Sequence, residues 1–138
     1  MTLFKVRLNG TQHVPVLIKD GEGEITATTA SSENLEVAFN NGQGFTGVVF
    51  RTPALNMRGC SQLDISGIST KEFKFIVEYK KQKGEIVAKS DYNLFPSASK
   101  SQTISIPIEY NGEVDEIALM FYVKGEGSEV DIESIYIK

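Results

Sequence analysis

The sequence predicts an all-β chain whose antiparallel strands pack as a sandwich or barrel, and three observations carry that prediction. Short apolar runs fill the chain with a period of two. Ile117, Leu119, Phe121 and Val123 alternate with Glu116, Ala118, Met120 and Tyr122, as in a strand with one buried face. Turn dipeptides stand between the runs at Asn9-Gly10, Asp20-Gly21, Asn41-Gly42, Lys83-Gly84 and Asn111-Gly112, residues that tolerate or supply positive φ. No window holds an i, i+3, i+4, i+7 stripe of helical length, so any helix is a single turn, near Leu55–Gly59 or Ser97–Ser99.

In chain order, strands are expected at Leu3–Leu8, ended by Asn9-Gly10, and at Val14–Lys19, ended by Asp20-Gly21. Glu24–Thr29 and Leu35–Phe39 follow, the latter stopping at Asn41-Gly42; then come Thr46–Arg51 and Gln62–Ile65. In Glu72–Lys80, Phe73, Phe75, Val77 and Tyr79 share one face, read as core, while Lys74, Ile76 and Glu78 share the other. Lys83-Gly84 turns that strand into Glu85–Ser90. In Thr103–Ile108, Ile104, Ile106 and Ile108 oppose Thr103, Ser105 and Pro107, and the proline places the strand at an edge or bulge. Glu116–Val123 leads through a Gly-rich turn into Val130–Ile137, a closing strand expected to lie within a sheet near the N-terminal strand.

Length and composition narrow the function. A chain of 138 residues, 41% hydrophobic and 23% charged, fits one folded domain without internal repeats. A net charge of −4 argues against nucleic acid, which needs a basic surface. No apolar run approaches the roughly 20 residues of a membrane helix, so no membrane partner is expected. There is no signal-peptide pattern, so a secreted protein would be represented by a mature or excised piece. Cys60 is the single cysteine, which excludes an intrachain disulfide and a cysteine-built zinc site; beside Leu55, Met57 and Leu63 it reads as a small buried hydrophobe. His13 is the single histidine, and no G-x-S-x-G or Cys/His pair supports a nucleophile, so the chain is read as non-catalytic. Asn9-Gly10-Thr11 matches a glycosylation sequon but is read as a turn.

From Gly44 onward the order of pieces is G-F-T-G-V-V-F-R, then P-x-L-x-M-x-G-C-S-Q-L-D-I-S-G-I, F-K-F-I-V-E-Y-K, Q-T-I-S-I-P-I and two closing strands ending I-E-S-I-Y-I. This order resembles the galactose-binding-like jelly-roll carbohydrate-binding modules over roughly the last two-thirds of the chain. The resemblance implies an antiparallel β-sandwich of jelly-roll type and a concave or edge-loop sugar site with aromatic platforms. It also implies, often, a structural calcium ion joining the N-terminal strands to the last strand. Two departures stand out: the chain has no Trp, and Glu133 sits where a calcium-ligating Asp is usual.

A sugar site needs a flat aromatic surface under the C–H face of the ring and polar groups around it. Without Trp, the platforms must be aromatics off the core parity or in loops: Tyr122 on its strand, and Tyr92 and Phe95 in Asp91–Pro96. Arg51, Lys74 and Glu78, on outward parities, complete the expected carbohydrate-binding set, although charged residues on a sheet also serve solvation and edge protection. For calcium, the candidate carboxylates are Asp20, Glu22 and Glu24 in D-G-E-G-E, together with Asp131 and Glu133 on the terminal strand. The expectation is a monomeric, extracellular or cell-surface module of a larger protein that binds a plant or microbial polysaccharide. The alternative is a structural or adhesion domain of a surface or viral assembly with no sugar ligand.

Overall fold

The computed structural model describes residues 2–5, 15–19, 24–29, 35–40, 43–124 and 128–138, with side chains for 47–51, 54–122 and 130–138. Twelve antiparallel strands are described, in two sheets. They are β1 (Thr2–Lys5), β2 (Pro15–Lys19), β3 (Glu24–Thr29), β4 (Leu35–Asn40), β5 (Gln43–Asn56), β6 (Gln62–Ser69), β7 (Phe73–Lys80), β8 (Ile86–Lys89), β9 (Asn93–Phe95), β10 (Gln102–Pro107), β11 (Glu113–Lys124) and β12 (Ser128–Ile137). The first sheet runs β10-β6-β12-β4-β3, with β1 also on β12; the second runs β2-β5-β11-β7-β8, with β9 also on β7. The closing strand therefore lies inside a sheet beside the N-terminal strand, as its sequence suggests. Pro107 ends an edge strand, where its missing N–H is harmless.

The core lies where the two inner faces meet. Val48 and Phe50 of β5, Phe73, Phe75, Val77 and Tyr79 of β7, and Ile117, Leu119 and Phe121 of β11 face Leu63, Ile65, Ile106, Val130, Ile132 and Ile135 of the other sheet. Phe121 is the centre of an aromatic cluster, 6.1 Å from Phe73 and 5.6 Å from Phe75, with Phe95 6.3 Å beyond Phe75. Cys60 packs half-buried against this core.

Besides β9, formed where a loop is expected, and the extension of β6 to Ser69, three local features depart from the sequence expectation. β5 does not stop at Arg51 but continues through Pro53 to Asn56, past a register shift opposite Val114 and Glu116 of β11. Asp115 pins that irregularity, accepting the Ala54 N–H at 2.9 Å and the Gln82 N–H at 3.0 Å, and Ala54 is held at φ 53°. The Ala54 N–H, aided by the Gln82 N–H and the Lys81 charge, holds the Asp115 carboxyl below the usual range. The one described helical turn falls not at Leu55–Gly59 or Ser97–Ser99 but at Gln82–Gly84, in the β7–β8 hairpin, where Lys83 and Gly84 take the positive φ that the dipeptide suggested. A bulge between Ile132 and Ser134 turns both Glu133 and Ser134 outward, so that Val130, Ile132, Ile135 and Ile137 all reach the core.

The outer face of the first sheet carries one dense polar knot. Asp64 is 8% exposed and accepts the Ser105 hydroxyl at 2.7 Å, the Gln62 amide at 2.9 Å and the Lys138 ammonium at 3.2 Å. Burial pushes its carboxyl upward, but the bonds from Ser105, Lys138 and Gln62 outweigh it and hold the group below the usual carboxylate range. A depressed folded value means that the stabilisation is present above the unfolded carboxylate value of about 4 and is lost as pH falls through the folded value. Asp64→Asn is expected to cost about 1–2 kcal/mol at neutral pH. Thermal melts of the two proteins should draw together as pH falls below about 4 and converge once it is below the folded value; a gap that does not narrow on acidification would assign the loss to packing instead.

Candidate functional site

The outer face of the second sheet brings most of the expected carbohydrate set together. Odd positions of β5 and even positions of β7 and β11 point outward, because the opposite parities fill the core. Across the sheet, Arg51 stands opposite Glu116, which stands opposite Lys80. In the next row Val49 faces Ala118, Ala118 faces Glu78, and Glu78 faces Lys89. Gly47, Met120 and Ile76 make the third row, and Lys74 pairs with Leu94 further along. From Glu116 to Tyr122 the face extends about 20 Å along β11.

At its centre Val49, Ala118 and Met120 form a small apolar strip, 2% exposed or less, packed with Ile76. The strip is covered, so a ligand on this side can reach only the groups around it. The Glu78 and Lys80 side chains, only 14% and 12% exposed, form an ion pair at 3.5 Å on its flank. Lys74 lies 5.2 Å from the centroid of the Tyr92 ring, a cation–π contact that fixes both groups. Among the described residues, five large hydrophobics are exposed: Ile86, Tyr92, Leu94, Tyr122 and Tyr136. Two of these lie on outward parities of this sheet, Tyr122 on β11 and Leu94 opposite Lys74; Ile86 pairs with Lys80, and Tyr92 meets Lys74. Four of the five thus lie on one side, Leu94 and Tyr92 beside Lys74 and Ile86 about 20 Å away at the Lys80 end of β7.

Arg51, Lys74, Glu78, Tyr92 and Tyr122 therefore share this side of the molecule, with Tyr92 64% and Tyr122 37% exposed. Phe95 must be corrected. It pairs with Phe73 through β9 and is fully buried against Phe75, so its ring is a core element and cannot lie under a sugar. Lys80, Glu116 and Leu94 join the face although the sequence reading did not select them. The parities of β7 and β11 contain the signal for the first two; Leu94 needed the β7–β9 pairing.

Of the five acidic residues, three are described: Glu24, Asp131 and Glu133. Asp20 and Glu22, like His13 and Asn9-Gly10-Thr11, lie outside the described residues. Glu24 pairs with Asn40, whereas Asp131 pairs with Glu36, which pairs with Thr28. Glu24 is thus four residues along β3 and two strands across from Asp131, about 13 Å by 9.5 Å, too far for one ion to bridge them. Asp131 and Glu133 do share an outward parity, but two carboxylates fall short of the six to eight oxygens calcium takes. Among the described residues no group of three or more His, Cys, Asp or Glu side chains is placed to hold a metal.

No known family profile matches the sequence, and no curated protein does so either. Solved structures do. A family 29 carbohydrate-binding module, a variant made to probe ligand recognition, superposes with a TM-score of 0.65 at 14% identity, covering 99% of this chain and 83% of that one. Another family 29 module, solved with cellulohexaose, gives 0.61 at 11% identity over 99% and 89% of the two chains. The family 11 module of a cellulosomal cellulase from Clostridium thermocellum gives 0.59 at 15% identity over 91% and 87%. What these proteins share with this chain at such identities is the fold, a jelly-roll β-sandwich of two antiparallel sheets.

Proposed function

We propose that the protein is a non-catalytic carbohydrate-binding module that holds a polysaccharide chain on the outer side of its second sheet, at the exposed end where Tyr122, Tyr92 and Leu94 surround Lys74. The observation that carries this reading is the gathering of these three exposed large hydrophobics around that cation. A sugar ring is amphipathic in the same way: its C–H face packs on Tyr122 and Tyr92, and its hydroxyls meet the charged groups at the rim. The solved neighbours support the ligand class, because one binds cellulohexaose and another belongs to a cellulase. A plant or microbial wall polysaccharide as ligand would place its action outside the cell or at the cell surface.

Affinity electrophoresis through gels containing hydroxyethylcellulose or other plant and microbial polysaccharides tests the reading. Tyr122→Ala and Tyr92→Ala are each expected to stay folded and to lose roughly 1–2 kcal/mol, about tenfold in affinity. Equal retention of both variants and the parent protein would remove the platform assignment. If the parent protein is retained by none of the polysaccharides, the spacer or adhesion reading replaces this one.

A further inference from the structure

Lys74 stands apart from the other cations on the outer side of the second sheet. Arg51 is opposite Glu116, Lys80 lies 3.5 Å from Glu78, and Lys89 is opposite Glu78, so each of these three already faces a carboxylate. Lys74 pairs with Leu94 instead. On its other side the register sets it beside Tyr122, because Met120 pairs with Ile76 and Tyr122 is the next outward residue of β11. Its ammonium lies 5.2 Å from the centroid of the Tyr92 ring. Among the described residues no carboxylate is within ion-pair distance of this ammonium, the exposed Glu72 and Asp91 included.

A cation walled by Tyr122, Tyr92 and Leu94 differs from one in open water in two ways. The apolar neighbours displace water around the ammonium, which strengthens an ion pair made there. The Tyr92 ring holds the long side chain, so less rotamer freedom is lost when a ligand arrives. A neutral sugar draws little on the charge, because any polar group can meet a hydroxyl. A uronic acid draws on every part of the arrangement: the C–H face of its ring packs on a tyrosine, and the carboxylate at its rim accepts from Lys74. The net charge of −4 opposes this only weakly at physiological salt, where charges more than about 8 Å away are largely screened.

We propose that this end of the sheet selects an acidic polysaccharide, one whose uronate residues set a carboxylate on Lys74 while the sugar ring lies against Tyr122 or Tyr92. Selection of this kind rests on the sheet-face site of the proposed function and narrows its ligand from polysaccharides at large to uronate-containing chains.

Affinity electrophoresis of the whole chain through polygalacturonate, alginate and glucuronoxylan, each against the same polymer with its carboxyl groups reduced to alcohols, tests the proposal. At least one acidic polymer is expected to bind roughly fivefold tighter than its reduced form. That preference should shrink as NaCl rises from about 50 to about 500 mM. Lys74→Gln is expected to bind the two forms alike, and Lys74→Arg to restore the preference. Lys89→Gln, which removes a cation that already faces Glu78, should keep it. Thermal melts check that the variants are folded, and Lys74→Met, which keeps an apolar stem beside Tyr92, serves if Lys74→Gln melts early. Equal binding of both forms by the parent protein, a preference that survives Lys74→Gln, or an equal loss in Lys89→Gln would overturn the proposal. Equal retention by dextran sulfate would also overturn it, as attraction of any polyanion. Binding of neutral polysaccharides alone would overturn it while leaving the sheet-face site in place, whereas retention by no polymer, acidic or neutral, would remove that site as well.

Discussion

Gly47→Ala is expected to abolish folding, the largest loss for the smallest side chain that can be added. Gly47 lies within β5, between Ile18 of β2 and Met120 of β11, with strands on both sides. A Cβ built there would fall on the Leu119 carbonyl oxygen, 2.7 Å from its carbon and 2.8 Å from the Met120 Cα. These are backbone atoms, so no side-chain rotation relieves the overlap. Relief requires β5 and β11 to separate, which breaks ladder bonds and opens the layer of Val48 and Phe50 over the core. The cost is about 5 kcal/mol or more, comparable to the whole stability of a domain of this size. Gly59→Ala supplies the contrast: its Cβ would meet nothing within 4 Å, and only the φ of +82° is strained, at a cost of about 1 kcal/mol. Soluble yield and circular dichroism melts compare the two. A Gly47→Ala protein that melts within a few degrees of the parent would show that β5 and β11 are not packed this closely.

Phe75→Ala is expected to destabilise the domain by about 3–5 kcal/mol, read as a shift in the urea midpoint. The ring is fully buried and touches two others, Phe121 at 5.6 Å and Phe95 at 6.3 Å, so removal leaves a cavity that neither sheet can fill without shifting. A loss below about 1 kcal/mol would mean that the core collapses around the missing ring.

The alternation in β7 and β11 was enough to separate core from surface, because side-chain direction in a strand follows from position alone. Phe73, Phe75, Val77 and Tyr79 are core as their parity requires, and Lys74, Glu78 and Arg51 share the outward side for the same reason. Phe95 was misplaced because its three-residue strand shows no alternation, and its burial comes from pairing with Phe73, a contact between segments far apart in sequence. For the acidic residues, too, parity settles only part. Local parity shows that Asp131 and Glu133 point the same way, but which strand lies beside them is a property of topology, and the neighbours are Glu36 and Ile68 rather than Glu24.

The placement of β12 also orders events in time. Along one side it pairs with β6, and along the other with β4 and then β1, so segments from residues 2–5, 35–40 and 62–69 are joined only through a strand at 128–137. On the ribosome those earlier strands emerge first and keep open edges until this partner is made. Such non-local pairing places folding in the slow, millisecond-to-second range typical of β-sandwiches. The β3–β4 and β6–β10 pairs can form early, but the first sheet is completed only when β12 joins them, and until then their open edges are what a chaperone would meet.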